Sequence, residues 1–320
     1  ITLNDYISNL AKEQNQYFKA ISYSKKVQIK KNIEKIMFDI IKVIKSSNDY
    51  QNITKKLKNE NLENLFKPKN KRNFFPWGIF YADVFLWRCF TDQDCGYYVD
   101  VGAAWPDVDS VIKVFYDKGW SRINIEPNED LDSKLCTQRP RDLNLNVAVS
   151  DREKDIEISF FQNVGLSTAD QEIAQKPISN GEIFESRIVK AYSLATILND
   201  HLPPNQVIDF LKIDVEGLDR SVLEGIDFCK TRPKIILVES TAPMSQDETW
   251  EGWETILTGN SNVFACFHGL NRFYIANEHL YLKLHFLLPV NLRDDVETQK
   301  TSHLPQENDW LKKQLQDNEM

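Results

Sequence analysis

Several things are missing from this chain, and each absence narrows the reading. There is no apolar run of about 18 residues, the length that crosses a bilayer, and no signal-peptide pattern at the start, so a cytoplasmic protein with no membrane span is expected. The five cysteines (Cys89, Cys95, Cys136, Cys229 and Cys266) are scattered and lack metal-ligand spacing. They read as reduced thiols, and no metal is expected from them or from any other spacing. Glycine is scarce, at 11 of 320 residues, and no G-x-G-x-x-G occurs. That argues against a dinucleotide, whose pyrophosphate must touch backbone. The chain opens on isoleucine rather than methionine and is expected to be part of a longer polypeptide.

Positive charge is also scarce beyond residue 72. Residues 1–72 carry 16 Lys and Arg against 7 Asp and Glu, and the remainder carries 23 against 40. The basic head lacks interleaved aromatics and arginine clusters, so no nucleic-acid partner is expected. Ile29, Ile33, Ile36, Met37, Ile40, Ile41 and Ile44 follow helical spacing. Residues 1–72 therefore read as a helical basic appendage. Residues 73–95, rich in aromatics, read as a linker or a cap on the main domain. Residues 96–293 form the main domain, and 294–320 a tail or linker.

In the main domain, short apolar strands alternate with helical stretches, the rhythm of a mostly parallel sheet with helices on both faces. Strands are expected at Tyr97–Asp100, Ser121–Glu126, Leu143–Val149, Asp155–Phe161, Ile188–Leu194, Val207–Asp214, Lys234–Glu239, Val263–Phe267 and Arg272–Ile275. A helix is expected over Val108–Lys118. Four strands end in acids, Asp100, Glu126, Asp214 and Glu239, and ligands of such sheets sit at the carboxyl ends of the strands. The turn Gly102-Ala103-Ala104 is small enough for close backbone approach, and Glu126 lies at the distance of a ribose-binding acid. S-adenosyl-L-methionine has a ribose and no phosphate, and it needs only one tight turn.

The ordered set Val99-Asp100-Val101-Gly102-Ala103, Asn124-Ile125-Glu126-Pro127-Asn128, Asn146-Val147-Ala148-Val149-Ser150-Asp151, Gly165-Leu166-Ser167-Thr168, Leu211-Lys212-Ile213-Asp214-Val215-Glu216-Gly217 and Gly269-Leu270-Asn271-Arg272-Phe273-Tyr274 resembles the FkbM family of S-adenosylmethionine-dependent methyltransferases over residues 95–290. The resemblance implies a Rossmann-like class I methyltransferase fold, a seven-stranded, mostly parallel sheet whose last strand is antiparallel. It also implies O-methylation of a sugar or natural-product hydroxyl. Carried over, Asp100, Gly102 and Ala103 match the first cofactor motif, and Glu126 the ribose acid, with Pro127 and Asn128 beside it. Ala148 and Val149 would lie near adenine, and Asp214 and Glu216 near the sulfonium and the acceptor. His268 stands where the family commonly has an aspartate.

A sulfonium is an activated donor, so the enzyme chiefly aligns an acceptor oxygen and assists its deprotonation. Asp214, Glu216 and His268 are the candidate catalytic residues, and Glu239 is a structural acid or acceptor contact. The alternative is a non-catalytic cofactor-binding or docking module of a larger assembly.

Overall fold

The computed structural model describes residues 81–162, 167–179, 181–242, 247–286 and 290. The appendage of 1–72, the tail from 294 and Gly165-Leu166 lie outside the described residues.

Seven strands make one sheet: β1 (Tyr97–Val101), β2 (Ser121–Ile125), β3 (Leu143–Leu145), β7 (Phe210–Ile213), β8 (Ile235–Glu239), β9 (Asn262–Phe267) and β10 (Asn271–Ala276), in the order β3-β2-β1-β7-β8-β10-β9. The pairings β2–β3, β1–β2, β1–β7 and β7–β8 are parallel, whereas β10 runs antiparallel to both β8 and β9. The sheet is therefore mixed. Strands β1, β7 and β8 are buried at every position, as their near-continuous apolar sequences require when both faces are covered.

The two-residue period of β1 sorts its side chains. Val99 and Val101 enter an aliphatic layer with Leu211, Ile213, Ile236 and Val238, packed against Ile197, Leu198, Val222 and Leu223. Tyr98 faces the other way, into an aromatic layer with Phe85, Phe90, Phe115, Trp120, Phe210 and Phe273. The helix α1 (Ala82–Phe90) belongs to this second layer. The described part of the aromatic segment, residues 81–95, thus packs on the sheet through α1, and none of those residues lines the cleft discussed below. On the aromatic face of β1, Asp100 pairs in register with Asn124 of β2 and Lys212 of β7. A polar row therefore crosses three strands just inside their carboxyl ends.

Three expectations need correction. The stretch 143–149 is not one strand. Asn146 Nδ2 donates to Glu126 O and Val147 N to Leu145 O, and the chain turns out of the large sheet. Ala148–Ser150 becomes β4 of a second sheet with β5 (Lys154–Phe161) and β6 (Phe184–Ser193), ordered β4-β6-β5. The helix expected from Val108 is only Lys113–Asp117, here α2. Asp109 (φ 53°), near the expected start, adopts left-handed backbone, which breaks a right-handed helix. The strand expected from Val207 begins at Phe210, and Val207 is half exposed.

Candidate functional site

A cleft of about 490 Å³ opens where β2, β1, β7 and β8 end, with the second sheet as its far wall. Its lining includes Asp100, Gly102, Ala103, Glu126, Pro127, Asn128, Ala148, Val149, Asp214, Glu216 and Glu239. All four strand-end acids meet there. Four adjacent parallel strands point the same way, so their terminal side chains converge.

The turn after β1 is folded against β2, with Gly102 N and Ala103 N both donating to Ile125 O at 3.0 and 3.2 Å. Gly102 has φ 76°, and a Cβ there would stand 1.8 Å from the backbone oxygen of Asp214. The sequence explains this glycine by ligand approach. In the structure its nearest reason is the neighbouring strand end, which leaves no room for a side chain.

Glu126 joins two loops. Its Oε2 accepts from Ala104 N at 2.8 Å and its Oε1 from Asn128 N at 2.9 Å. Burial pushes its carboxyl up to about 7, against the pull of these two N–H groups. Asn128 does a second job, since its Oδ1 caps the helix α3 (Glu129–Gln138) by accepting from Asp130 N and Leu131 N. The apolar wall opposite comprises Ala148 and Val149 together with Ile156, Ile158 and Phe160 of β5.

Lys212 is the hub beneath the turn. Its Nζ donates to Gly102 O at 2.9 Å and lies 3.2 Å from Asp100 Oδ1 and 3.3 Å from Asp214 Oδ2. Burial works against the ammonium, but the two carboxylates outweigh it and hold its pKa above the ordinary lysine value. Burial raises the Asp100 carboxyl despite that partner. Sequence reasoning did not single out Lys212. A lysine inside an apolar strand was the available signal, and pairing sets it directly opposite Asp100.

Asp214 and Glu216 do come together, and Glu239 joins them. One carboxylate oxygen from each lies within 4.8 Å of the others. Burial, and then the charge of Asp214, raise the pKa values of Glu216 and Glu239.

His268 is not brought to the cleft. It is 1% exposed and packs on Phe273 and Phe85, with ring centroids 5.3 and 6.1 Å away. Its Nδ1 accepts from Leu270 N and Asn271 N, closing the β9–β10 turn. Burial lowers the imidazole to about 3. A base must reach the proton it removes. This ring is walled off and engaged in the turn, so the expectation that it serves as base is corrected. Leu270, two residues on, lines the cleft instead.

The fold and cleft define an α/β protein with a cleft across the carboxyl ends of its parallel strands, the place where ligands of such folds sit. The family model for the methyltransferase FkbM domain matches residues 94–266, more than half of the chain, and the chain belongs to that family. Family membership supports methyltransferase activity. Neither the search of curated proteins nor that of solved structures gives a match. No helix among the described residues is long and apolar enough to cross a membrane.

Proposed function

We propose that the chain is an S-adenosylmethionine-dependent O-methyltransferase acting on a hydroxyl of a sugar or natural-product acceptor. One observation carries the reading. Glu126 is a buried carboxylate fixed by two backbone N–H groups at the end of the strand beside the small-residue turn. A rigid acceptor pair in that position suits a ribose diol, and the turn beside it needs no phosphate. The strand order, with β10 reversed, fits a Rossmann-like class I methyltransferase.

In this reading Gly102 and Ala103 face the methionine part of the cofactor, with Asp100 and Lys212 holding the turn beneath it. Glu126, Pro127 and Asn128 take the ribose. Ala148 and Val149 flank adenine. The acceptor enters beside Asp214, Glu216 and Glu239, where a desolvated carboxylate assists loss of the hydroxyl proton. Most of the rate then comes from holding that oxygen in line with the sulfonium methyl. Scattered, unpaired cysteines suit a cytoplasmic setting.

The test is calorimetric titration of the full chain with S-adenosylmethionine and with NAD, followed by transfer of a labelled methyl group to a panel of hydroxylated acceptors. Binding of the first with transfer to oxygen supports the reading. Binding of NAD alone, or cofactor binding with no transfer to any acceptor, argues for another enzyme or for a docking module.

A further inference from the structure

The ends of β7 and β8 hold more negative charge than the protein neutralises. Asp214 follows β7 and Glu239 ends β8, and because Ile213 pairs with Val238 the two carboxylates stand side by side. Glu216 returns to them in a left-handed backbone conformation of its own (φ 48°), held by a hydrogen bond from Thr168 Oγ1 to its backbone oxygen. Among the described residues, Lys212 is the one cation in an ion pair with any of the three, and Asp100 shares it. Asp219, also buried, differs in accepting the Val215 N–H.

A second observation points to something outside the protein. Glu239 is 8% exposed and lines the cleft. Among the described residues no N–H group donates to it, and its polar neighbour is the carboxyl of Asp214. Glu216 Oε2, enclosed by protein, likewise meets no donor. Buried carboxylates without donors are strongly unfavourable unless a cation or a proton joins them.

We propose that Asp214, Glu216 and Glu239 form a binding site for one divalent cation. Their three oxygens lie within 4.8 Å of one another. Oxygens on a single ion at about 2.0–2.6 Å are at most about 4–5 Å apart, so the observed spacing needs little closing. The donor set is oxygen only, without histidine or cysteine, which selects a hard ion such as Mg²⁺, Mn²⁺ or Ca²⁺. Three carboxylates leave coordination positions open to the cleft, where an acceptor hydroxyl or a pair of neighbouring hydroxyls can bind and be polarised. That use of the ion rests on the methyl-transfer reading above, whereas the binding itself does not. Sequence spacing hid the site because Glu239 arrives from a different strand.

The experiment is titration of the full chain with Mn²⁺ alone, following free Mn²⁺ by electron paramagnetic resonance. One Mn²⁺ per chain is expected, displaced by Mg²⁺. Glu239→Gln and Glu216→Gln should each weaken binding at least about 10-fold. Asp155→Asn, at an exposed position of β5, should leave it unchanged. Should Glu239→Gln fold poorly, Glu216→Gln and the rise in wild-type melting temperature with Mn²⁺ still decide the matter. No binding at millimolar Mn²⁺, or binding unchanged in the glutamine variants, overturns the site and leaves a shared proton between Asp214 and Glu239 as the neutralising device. S-adenosylhomocysteine titrated into the same sample separates the two claims. Its binding without Mn²⁺ binding overturns the ion site alone, and Mn²⁺ binding without it supports the site while removing the cofactor reading.

Discussion

Replacing Glu126 by glutamine tests the chemistry of the cleft at its most enclosed acid. Burial moves this carboxyl from 4.5 to about 7. The folded chain therefore holds the Glu126 proton more tightly than the unfolded chain does. Between about pH 4.5 and 7, unfolding releases that proton, so this residue's contribution to stability falls as pH rises. At about 1.4 kcal/mol per unit, the loss between pH 5 and 8 comes to roughly 2–3 kcal/mol. Glutamine cannot ionise, so the variant lacks this slope. It has a cost of its own, because its amide N–H₂ must face either Ala104 N or Asn128 N, both donors in the native protein. Urea unfolding of both proteins at pH 5 and pH 8 gives the difference in stability at each pH. The difference should shift by roughly 2–3 kcal/mol in the variant's favour between the two. A difference that changes by less than about 0.5 kcal/mol between the two pH values refutes the account of Glu126 as a buried acid with a raised pKa.

Other outcomes follow from the same geometry. S-adenosylmethionine affinity should rise with pH through about 7 and then level off, as Glu126 ionises to accept the ribose hydroxyls; calorimetry at several pH values reads this. His268→Ala should lower the melting temperature by opening a gap beside Phe273 and Phe85, yet leave single-turnover methyl transfer within a few-fold of wild type. Wild-type stability should fall in acid between about pH 6.5 and 3, where the unfolded His268 binds a proton that the folded one does not, and His268→Ala should lack this component. Asp214→Asn or Glu216→Gln should cut turnover by about 10²–10⁴-fold with S-adenosylhomocysteine affinity retained. Lys212→Met should cost about 3–5 kcal/mol of stability, since it strands Asp100 and Asp214 without their cation.

Much of this molecule was legible in its residues. The nearly continuous apolar strands Phe210–Ile213 and Ile235–Glu239 announced their central position, and the acid at the end of each, Asp214 and Glu239, announced the end at which a ligand site would form. What stayed hidden was set by contacts remote in sequence. Val147 looks like the continuation of a strand, but the Asn146–Glu126 hydrogen bond bends the chain there and starts a new sheet. His268 carries the right chemistry for a base and precedes a glycine, yet its burial depends on α1, about 180 residues earlier. The role of Lys212 emerges only from strand pairing, which sets it opposite Asp100 of a strand more than 100 residues earlier. Gly102 fits the ligand-turn reading, while the spacing of β1 and β7 already forbids any side chain there.

The central claim is that S-adenosylmethionine binds across the ends of β1 and β2 with its ribose on Glu126. Calorimetry with S-adenosylhomocysteine on the wild type and on Glu126→Ala tests it most directly. The account predicts one site per chain, with affinity in the variant lower by about 1.5–3 kcal/mol, or roughly 10- to 150-fold. Equal affinity in the two proteins, with both shown to be folded, would contradict it.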